Sequence, residues 1–303
     1  MELRELKEIL SEKDEFRDIA SWKLKRVNHG SVGIHSSIIS KGKKKYFVKD
    51  IKDNEANALS LVYPLKLKHL IKVAYPDLLS RNVLVAEYIR GKPISSKNLS
   101  AGLIKDFAAM QNALNNPRLF ANKKYFSANR FIDKDDGFFI KGYRSLWAQS
   151  RDTLNSLKRR YNLKIIDNYL SLMIYLDKYK EEIINECSKM PFAWQHHDFR
   201  EGNIIGKKQI LVDFGSSYGH GPFLFDLAPF LINNQSALKT FIKNSDICKK
   251  YSNEKILRWI YIATAINMNS RIKYHFESPK SLNETKEFLE YEWKTHKYLL
   301  NFI

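Results

Sequence analysis

Apolar residues recur at three- and four-residue spacing through Leu3, Leu6, Ile9, Leu10 and Phe16, which predicts an amphipathic helix over residues 1–20. From Trp22 the period shortens to two. Trp22 to Val27, Ile34 to Ile39 and Tyr46 to Lys49 alternate like strands, separated by Asn28-His29-Gly30-Ser31-Val32-Gly33 and by Lys41 to Lys45, both of which read as turns. Three short strands with tight connections predict an antiparallel meander. Asp53 is placed to cap a helix over 54–61, and Leu70-Ile71-Lys72-Val73 and Val83 to Ile89 are two further strand candidates. Beyond Arg90-Gly91-Lys92-Pro93 the pattern turns helical, over 103–114, 143–161, 165–187 and from Ser236 to the carboxyl end. Only residues 192–214 interrupt it, where the apolar runs Phe192-Ala193-Trp194 and Gln209-Ile210-Leu211-Val212 flank a dense polar segment. The shift at Gly91 divides the chain into a residue 1–90 part and a residue 91–303 part.

The polar segment carries the candidate chemistry. It reads His196-His197-Asp198-Phe199-Arg200-Glu201-Gly202-Asn203, and Asp213-Phe214-Gly215 follows the second apolar run. Phosphoryl transfer needs hard oxygen ligands for a small divalent cation and a separate carboxylate near the attacking hydroxyl. Mg²⁺ takes few protein oxygens and fills its shell with water and phosphate, which suits one Asn and one Asp. Taken singly, Asp198 and Asp213 would read as loop caps; the joint pattern is what carries information.

That pattern has four residues between Asp198 and Asn203 and nine between Asn203 and Asp213. It resembles the catalytic loop and metal-binding strand end of kinase-like phosphotransferases, above all the aminoglycoside phosphotransferase and choline kinase superfamily. The usual wording there is His-Gly-Asp, a spacer, Gly-Asn, then Asp-Phe or Asp-Trp. This chain has His197 for the Gly and keeps Gly215 after Phe214; neither departure removes a ligand. The resemblance implies an α+β, two-lobed protein-kinase-like fold, with a small antiparallel-sheet N-lobe over 1–90, a hinge near 86–91 and a mainly helical C-lobe over 91–303. It implies that Asp198 accepts or orients the substrate hydroxyl proton, and that Asn203 and Asp213 hold Mg²⁺ against the nucleotide phosphates. His196 would brace the loop by bonding to backbone, His197 would be substrate-side or exposed, and Arg200 would either contact phosphate or stand in solvent.

The amino-terminal half adds a second part. A nucleotide kinase needs a glycine hairpin over the phosphates, a lysine on a following strand and an acid to position it. Gly30, Ser31 and Gly33 lie between the first two strand candidates, Lys49 ends the third and Glu55 lies on the following helix. Alone these are an ordinary turn, a surface lysine and a helix-face acid; their order resembles the family's small lobe. The Lys49-to-Glu55 spacing is shorter than in protein kinases. Ala86-Glu87-Tyr88-Ile89-Arg90-Gly91 resembles the family's hinge, which implies that backbone near Ala86 and Tyr88 reads adenine while Glu87 points away. Asp226, in Asp226-Leu227-Ala228, matches a capping or bracing position, and Gln111 stands near the place of a family His. The resemblance covers residues 22 to about 230; the last 70 residues match only as helices.

Composition narrows the remaining choices. At 303 residues and 44% hydrophobic the chain can bury a sizeable core, and two cysteines, Cys187 and Cys248, support neither a disulfide framework nor a four-cysteine zinc site. The net charge of +18 invites a nucleic-acid partner. The clusters Lys41 to Lys45 and Lys158-Arg159-Arg160 lie in no recognised nucleic-acid motif, so none is expected. No secretory leader and no long apolar run is present, so no transmembrane segment and a cytoplasmic location are expected. A protein kinase would need a long activation segment and an Ala-Pro-Glu after Asp213, and neither follows. The leading expectation is transfer of the γ-phosphate of ATP, with GTP as the alternative donor, to a hydroxyl of a small molecule such as a sugar, amino alcohol or antibiotic. The positive charge counts against a polycationic acceptor. Two other readings stay open: a basic non-catalytic nucleotide- or nucleic-acid-binding protein, and a metal phosphohydrolase using the His197-Asp198 pair.

Overall fold

A computed structural model of the chain describes residues 3–27, 36–95, 97–116, 138–216 and 219–301. The glycine turn read at Gly30, Ser31 and Gly33 lies outside the described residues. The fold is two-lobed and α+β.

Strands β1 (Lys23–Arg26), β2 (Ser36–Lys41), β3 (Lys44–Asp50) and β4 (Val83–Glu87) form one antiparallel sheet in chain order. Its register places Lys49 opposite Ser36 and Leu84, and Phe47 opposite Ala86. Because side chains alternate across a strand, Phe47 and Lys49 share the face toward the rest of the molecule while Val48 points to the other. The outer face is covered by the amino-terminal segment, where Leu6, Ile9, Leu10, Phe16 and Trp22 pack against Ile39, Val48, Val83 and Val85.

That segment is not the single helix its periodicity predicts. Helix α1 (Leu3–Ser11) stops, and two single 3₁₀ turns, Asp14–Phe16 and Ile19–Ser21, carry the chain on. Bending lets Phe16, which is fully buried, insert its ring against Trp22, Tyr46 and Tyr75 at centroid distances of 4.9, 5.6 and 5.3 Å. Glu15 beside it accepts hydrogen bonds from the hydroxyls of Tyr46 and Tyr75.

Helix α2 (Asp53–Val62) starts one residue earlier than predicted. Asp53 is its first residue rather than its cap, and its Oδ1 accepts from Asn82 Nδ2 at 2.8 Å. Leu70 to Val73 does not become a strand. It makes single bridges, Leu70 to Leu211 and Val73 to Ala86, and so stitches the sheet lobe to the helical lobe.

In the helical lobe, α3 (Ala101–Leu114) begins at Ser100, whose hydroxyl accepts from Leu103 N–H. Helices α4 (Phe138–Tyr161), α5 (Lys164–Asp177) and α6 (Lys180–Lys189) follow. The last two were expected as one helix. Four residues beyond buried Leu176 the core position falls on Lys180, and the chain turns there and restarts with Ile183, Ile184 and Cys187 inward. Two ribbons then carry the polar segment: β5 (Phe192–Gln195) pairs antiparallel with β8 (Gly219–Pro222), and β6 (Ile204–Ile205) with β7 (Ile210–Leu211). The short strands β6 and β8 gave no signal in the apolar pattern. Helices α7 (Ala228–Leu231), α8 (Gln235–Asn244), α9 (Asn253–His275) and α10 (Leu282–His296) complete the lobe, with α9 packed between α4, α6 and α7. Among the described residues no helix is long and apolar enough to cross a membrane.

Phe16 is the residue on which the covering of the outer sheet face turns. Phe16→Ala should lower unfolding stability by about 3–5 kcal/mol, read as a lower urea midpoint with an unchanged slope.

Candidate active site

The two lobes meet at a cleft of about 500 Å³. Lys49 enters it from β3. Its Nζ donates to both carboxylate oxygens of Glu55 at 3.0 and 2.9 Å and to Asp213 Oδ1 at 2.9 Å. Glu55 sits in the first turn of α2, so six residues suffice to bring it back over the strand end. Burial works against the Lys49 charge, but Glu55 and Asp213 outweigh it and raise its pKa. Burial pushes Glu55 up while Lys49 opposes the shift, and for Asp213 the pull of Lys49 overcomes burial and leaves the pKa lowered. The geometry is that of an ammonium held ionised between two carboxylates.

Across the cleft, the loop after β5 presents Asp198. Asn203 Nδ2 donates to Asp198 Oδ2 and to its carbonyl oxygen, each at 2.8 Å, and Arg200 Nε lies 3.0 Å from Asp198 Oδ1. Asn203 ends a single 3₁₀ turn, Glu201–Asn203, and its carbonyl accepts from Val212 N–H at 2.9 Å, which ties the loop to the residue before Asp213. Asp213 has a φ of 61° and is followed by the turn Phe214–Ser216, against which α2 packs; Asn54 Nδ2 donates to Gly215 O there.

Beneath the loop, buried Asp226 accepts from the backbone N–H of His196 at 2.5 Å and of His197 at 3.1 Å. His196 is fully buried, and its Nε2 lies 3.0 Å from Val212 O. A carbonyl can only accept, so Nε2 carries the hydrogen; burial lowers the pKa of the ring and favours this neutral form. His197 has a φ of 61°, a left-handed conformation that glycine adopts freely and other residues adopt under strain. Its ring is half-buried near Phe225 and Gly221 rather than exposed. Buried Gln111 donates to Trp194 O and Phe223 O, holding α3 to the segments on either side of the loop.

At the end of β4, Ala86 is fully buried, and Tyr88 just beyond it lines the cleft with Phe47, Ile205 and Val212. Tyr88 N–H donates to Lys45 O at 3.3 Å and Glu87 N–H to Lys72 O at 3.0 Å, so these two donors are already used. Glu87 turns outward to Lys72. Gly91 and Gly206 lie back to back: a Cβ on Gly91 would fall 2.6 Å from Gly206 Cα, which leaves room only for glycine.

The sequence-predicted residues Lys49, Glu55, Asp198, Asn203, Asp213 and Tyr88 therefore line one cleft. Ile71 and Leu84 were not singled out and also line it; they belong to runs that read simply as strands.

Solved structures with the same architecture identify the fold. Aminoglycoside 2'-phosphotransferase-IIIa in its GDP complex superposes over 96% of this chain and 98% of its own, with a TM-score of 0.55 at 12% identity. Spectinomycin phosphotransferase in complex with ADP and spectinomycin covers 99% of this chain and 94% of its own, with a TM-score of 0.51 at 11% identity. A choline/ethanolamine kinase family protein from Mesorhizobium loti covers 99% and 98%, with a TM-score of 0.50 at 15% identity. The chain has the fold of the aminoglycoside phosphotransferases and choline kinases. No family model matches the sequence and no curated protein resembles it in sequence, so the likeness is one of three-dimensional structure. In this phosphotransferase fold the cleft described above is the space between the two lobes.

Asp226 gives the site a pH signature. Burial pushes its carboxyl up to about 7, against the two backbone donors that lower it. The folded state then binds a proton that the unfolded chain releases at lower pH, so stability falls as pH rises from the ordinary carboxylate range to about 7 and levels off above it. Asp226→Asn should flatten this dependence, so the difference between urea midpoints at about pH 5 and about pH 8 should shrink relative to the wild type.

Proposed function

We propose that this protein transfers the γ-phosphoryl group of a nucleoside triphosphate, ATP or alternatively GTP, to a hydroxyl of a small molecule. The observation that carries the reading is the convergence of Lys49, bracketed by Glu55 and Asp213, with the Asp198–Asn203 pair across one cleft. Charged phosphate oxygens need a fixed cation, and Lys49 is held charged and pre-positioned by two carboxylates. The purine fits between Phe47 and Leu84 on one side and Ile205 and Val212 on the other, at the hinge. Since Glu87 and Tyr88 already use their N–H groups, a base bound there would be read by other backbone groups of this segment.

The donor set suits Mg²⁺. Asn203 spends its amide nitrogen on Asp198, leaving Oδ1 as an acceptor, and Asp213 has Oδ2 beyond its bond to Lys49. Among the described residues no group of three or more His, Cys, Asp or Glu could hold a metal, so an ion here would be completed by phosphate and water, as Mg²⁺ prefers. Bound there, it would offset the phosphate charge.

Asp198 is the candidate base. Asn203 orients its carboxylate through Oδ2, and Arg200 rests on Oδ1. An arriving hydroxyl takes the place of Arg200 on Oδ1 and gives up its proton there as its oxygen bonds to the γ-phosphorus and the bond from that phosphorus to the β–γ bridging oxygen breaks, releasing the nucleoside diphosphate. A small acceptor is favoured over a protein because only a short connection separates Asp213 from α7.

Mg-ATP should raise the melting temperature of the wild type, and Asp213→Ala should lose most of that shift; a wild type that shows none defeats the reading. Asp198→Ala should retain the shift while ADP release across a panel of sugars, amino alcohols and antibiotics falls by about 10²–10⁴. Turnover unchanged in Asp198→Ala would remove Asp198 from the role of base.

A further inference from the structure

The last helices carry no motif, yet α10 reaches the catalytic turn. Tyr291 and Glu292 are consecutive on it and engage different segments. Tyr291 Oη donates to Glu201 Oε1 at 2.8 Å, and Glu201 is the buried first residue of the turn that ends in Asn203. Glu292, 1% exposed, accepts from Lys97 Nζ at 2.9 Å and from Arg271 on α9. Lys97 belongs to the strap that follows the hinge. The same strap is pinned by Gln209, which donates to Asn98 O at 2.9 Å and accepts from Ser100 N–H at 2.6 Å. Arg271 also interacts electrostatically with Glu201 and with Asp198 itself.

Two carboxylates and two cations thus balance one another in an enclosed cluster. Burial alone would push the Glu292 carboxyl up, but Arg271 and Lys97 hold it down at about 2, so it is ionised throughout the working range. Well-packed apolar residues would stabilise such a site as well as ions do. What directional bonds add is a fixed position.

We infer that Tyr291 and Glu292 are positioning residues for the catalytic loop, acting through Glu201 on the turn that carries Asn203 and hence on Asp198. The route is continuous. Glu292 fixes Arg271 and, next to it in sequence, Tyr291; Tyr291 fixes Glu201; the Glu201–Asn203 turn closes through Asn203 N–H on Arg200 O at 2.9 Å; and Asn203 Nδ2 holds Asp198. Because Asn203 O also takes the Val212 N–H, the turn governs the approach to Asp213 as well. Removing the Tyr291 hydroxyl leaves a buried Glu201 oxygen short of a donor and lets the turn shift, and displacements well below an ångström matter at a reacting centre. The kinetic consequence rests on the phosphotransferase reading; the structural consequence does not.

Hydrogen–deuterium exchange on the full chain tests it. In Tyr291→Phe, amides of 196–203 should exchange about tenfold faster, with those of α5 unchanged as a gauge of global stability. Glu201→Ala should do the same, and the double variant should go no further than Glu201→Ala alone, since both remove one interaction. With MgATP and water as acceptor, kcat for ADP release in Tyr291→Phe should drop about tenfold while KM for ATP stays within about twofold. Loop exchange that is unchanged in both single variants overturns the proposal, as does equal acceleration in the loop and in α5. A wild type that binds no nucleotide would remove the phosphotransferase reading and leave the exchange experiment to decide the positioning role.

Discussion

One ammonium group joins the two lobes at the site. Lys49 Nζ lies within 3.0 Å of carboxylate oxygens from α2 and from the segment after β7, so the sheet, its helix and the helical lobe share a single charged contact. Glu55 is 3% exposed and Lys49 12%, which places the pair where losing one partner strands the other in a poorly solvated space. Such a loss costs about 3–5 kcal/mol. The remaining architecture can be read as what keeps those three groups in place: the meander sets where β3 ends, α2 returns Glu55 over it, and the packing of α2 on Phe214–Ser216 holds Asp213.

A second constraint operates on the opposite wall. Asp198 stands on a loop, and loops hold position only if their backbone groups are tied down. Asp226 takes two consecutive N–H groups at the start of this loop, His196 bonds to Val212 O, and Asn203 closes its end. The left-handed backbone at His197 and at Asp213 marks the two places where the chain turns sharply to present a carboxylate. Non-glycine residues there carry strain that the surrounding bonds must offset.

How far the sequence revealed this depended on the kind of signal. The meander was legible because alternation over four to seven residues is a strong pattern, whereas Lys49, Asp198, Asn203 and Asp213 were grouped only by the resemblance of their order and spacing to a known family, each alone reading as a cap or a surface residue. The bend at Phe16 was not, since helical spacing of apolar residues says which side chains are buried and not that one helix buries them. The break before Lys180 left a trace, a lysine at a core position, that periodicity counting passes over. Strand β8, with two glycines and a proline in four residues, has no strand composition at all; its pairing with β5 is imposed by the tertiary fold. The Tyr291–Glu201 contact spans 90 positions between residues that look like ordinary surface groups, and no local pattern predicts such a pair.

The distribution of charge changes what the net value of +18 can be used for. Among the described residues, the cleft is lined by three cations, Lys49, Lys52 and Arg200, and by three inward carboxylates, Glu55, Asp198 and Asp213, while Glu87 at its rim turns out to Lys72. The surplus of positive charge therefore lies elsewhere on the molecule, and the cleft by itself does not attract a polyanion. On the proposed reading, a triphosphate entering it would meet one well-placed ammonium in a cleft whose cations and carboxylates balance, which favours binding together with a divalent cation. For the proposed transfer, the charge of the whole chain therefore does not weigh against a cationic acceptor: Arg200 is matched by Asp198, and Lys97 and Arg271 by Glu292 and Glu201. On that reading, acceptor choice would rest on the local shape and bonding of the groups around Asp198 rather than on the lysines that dominate the composition.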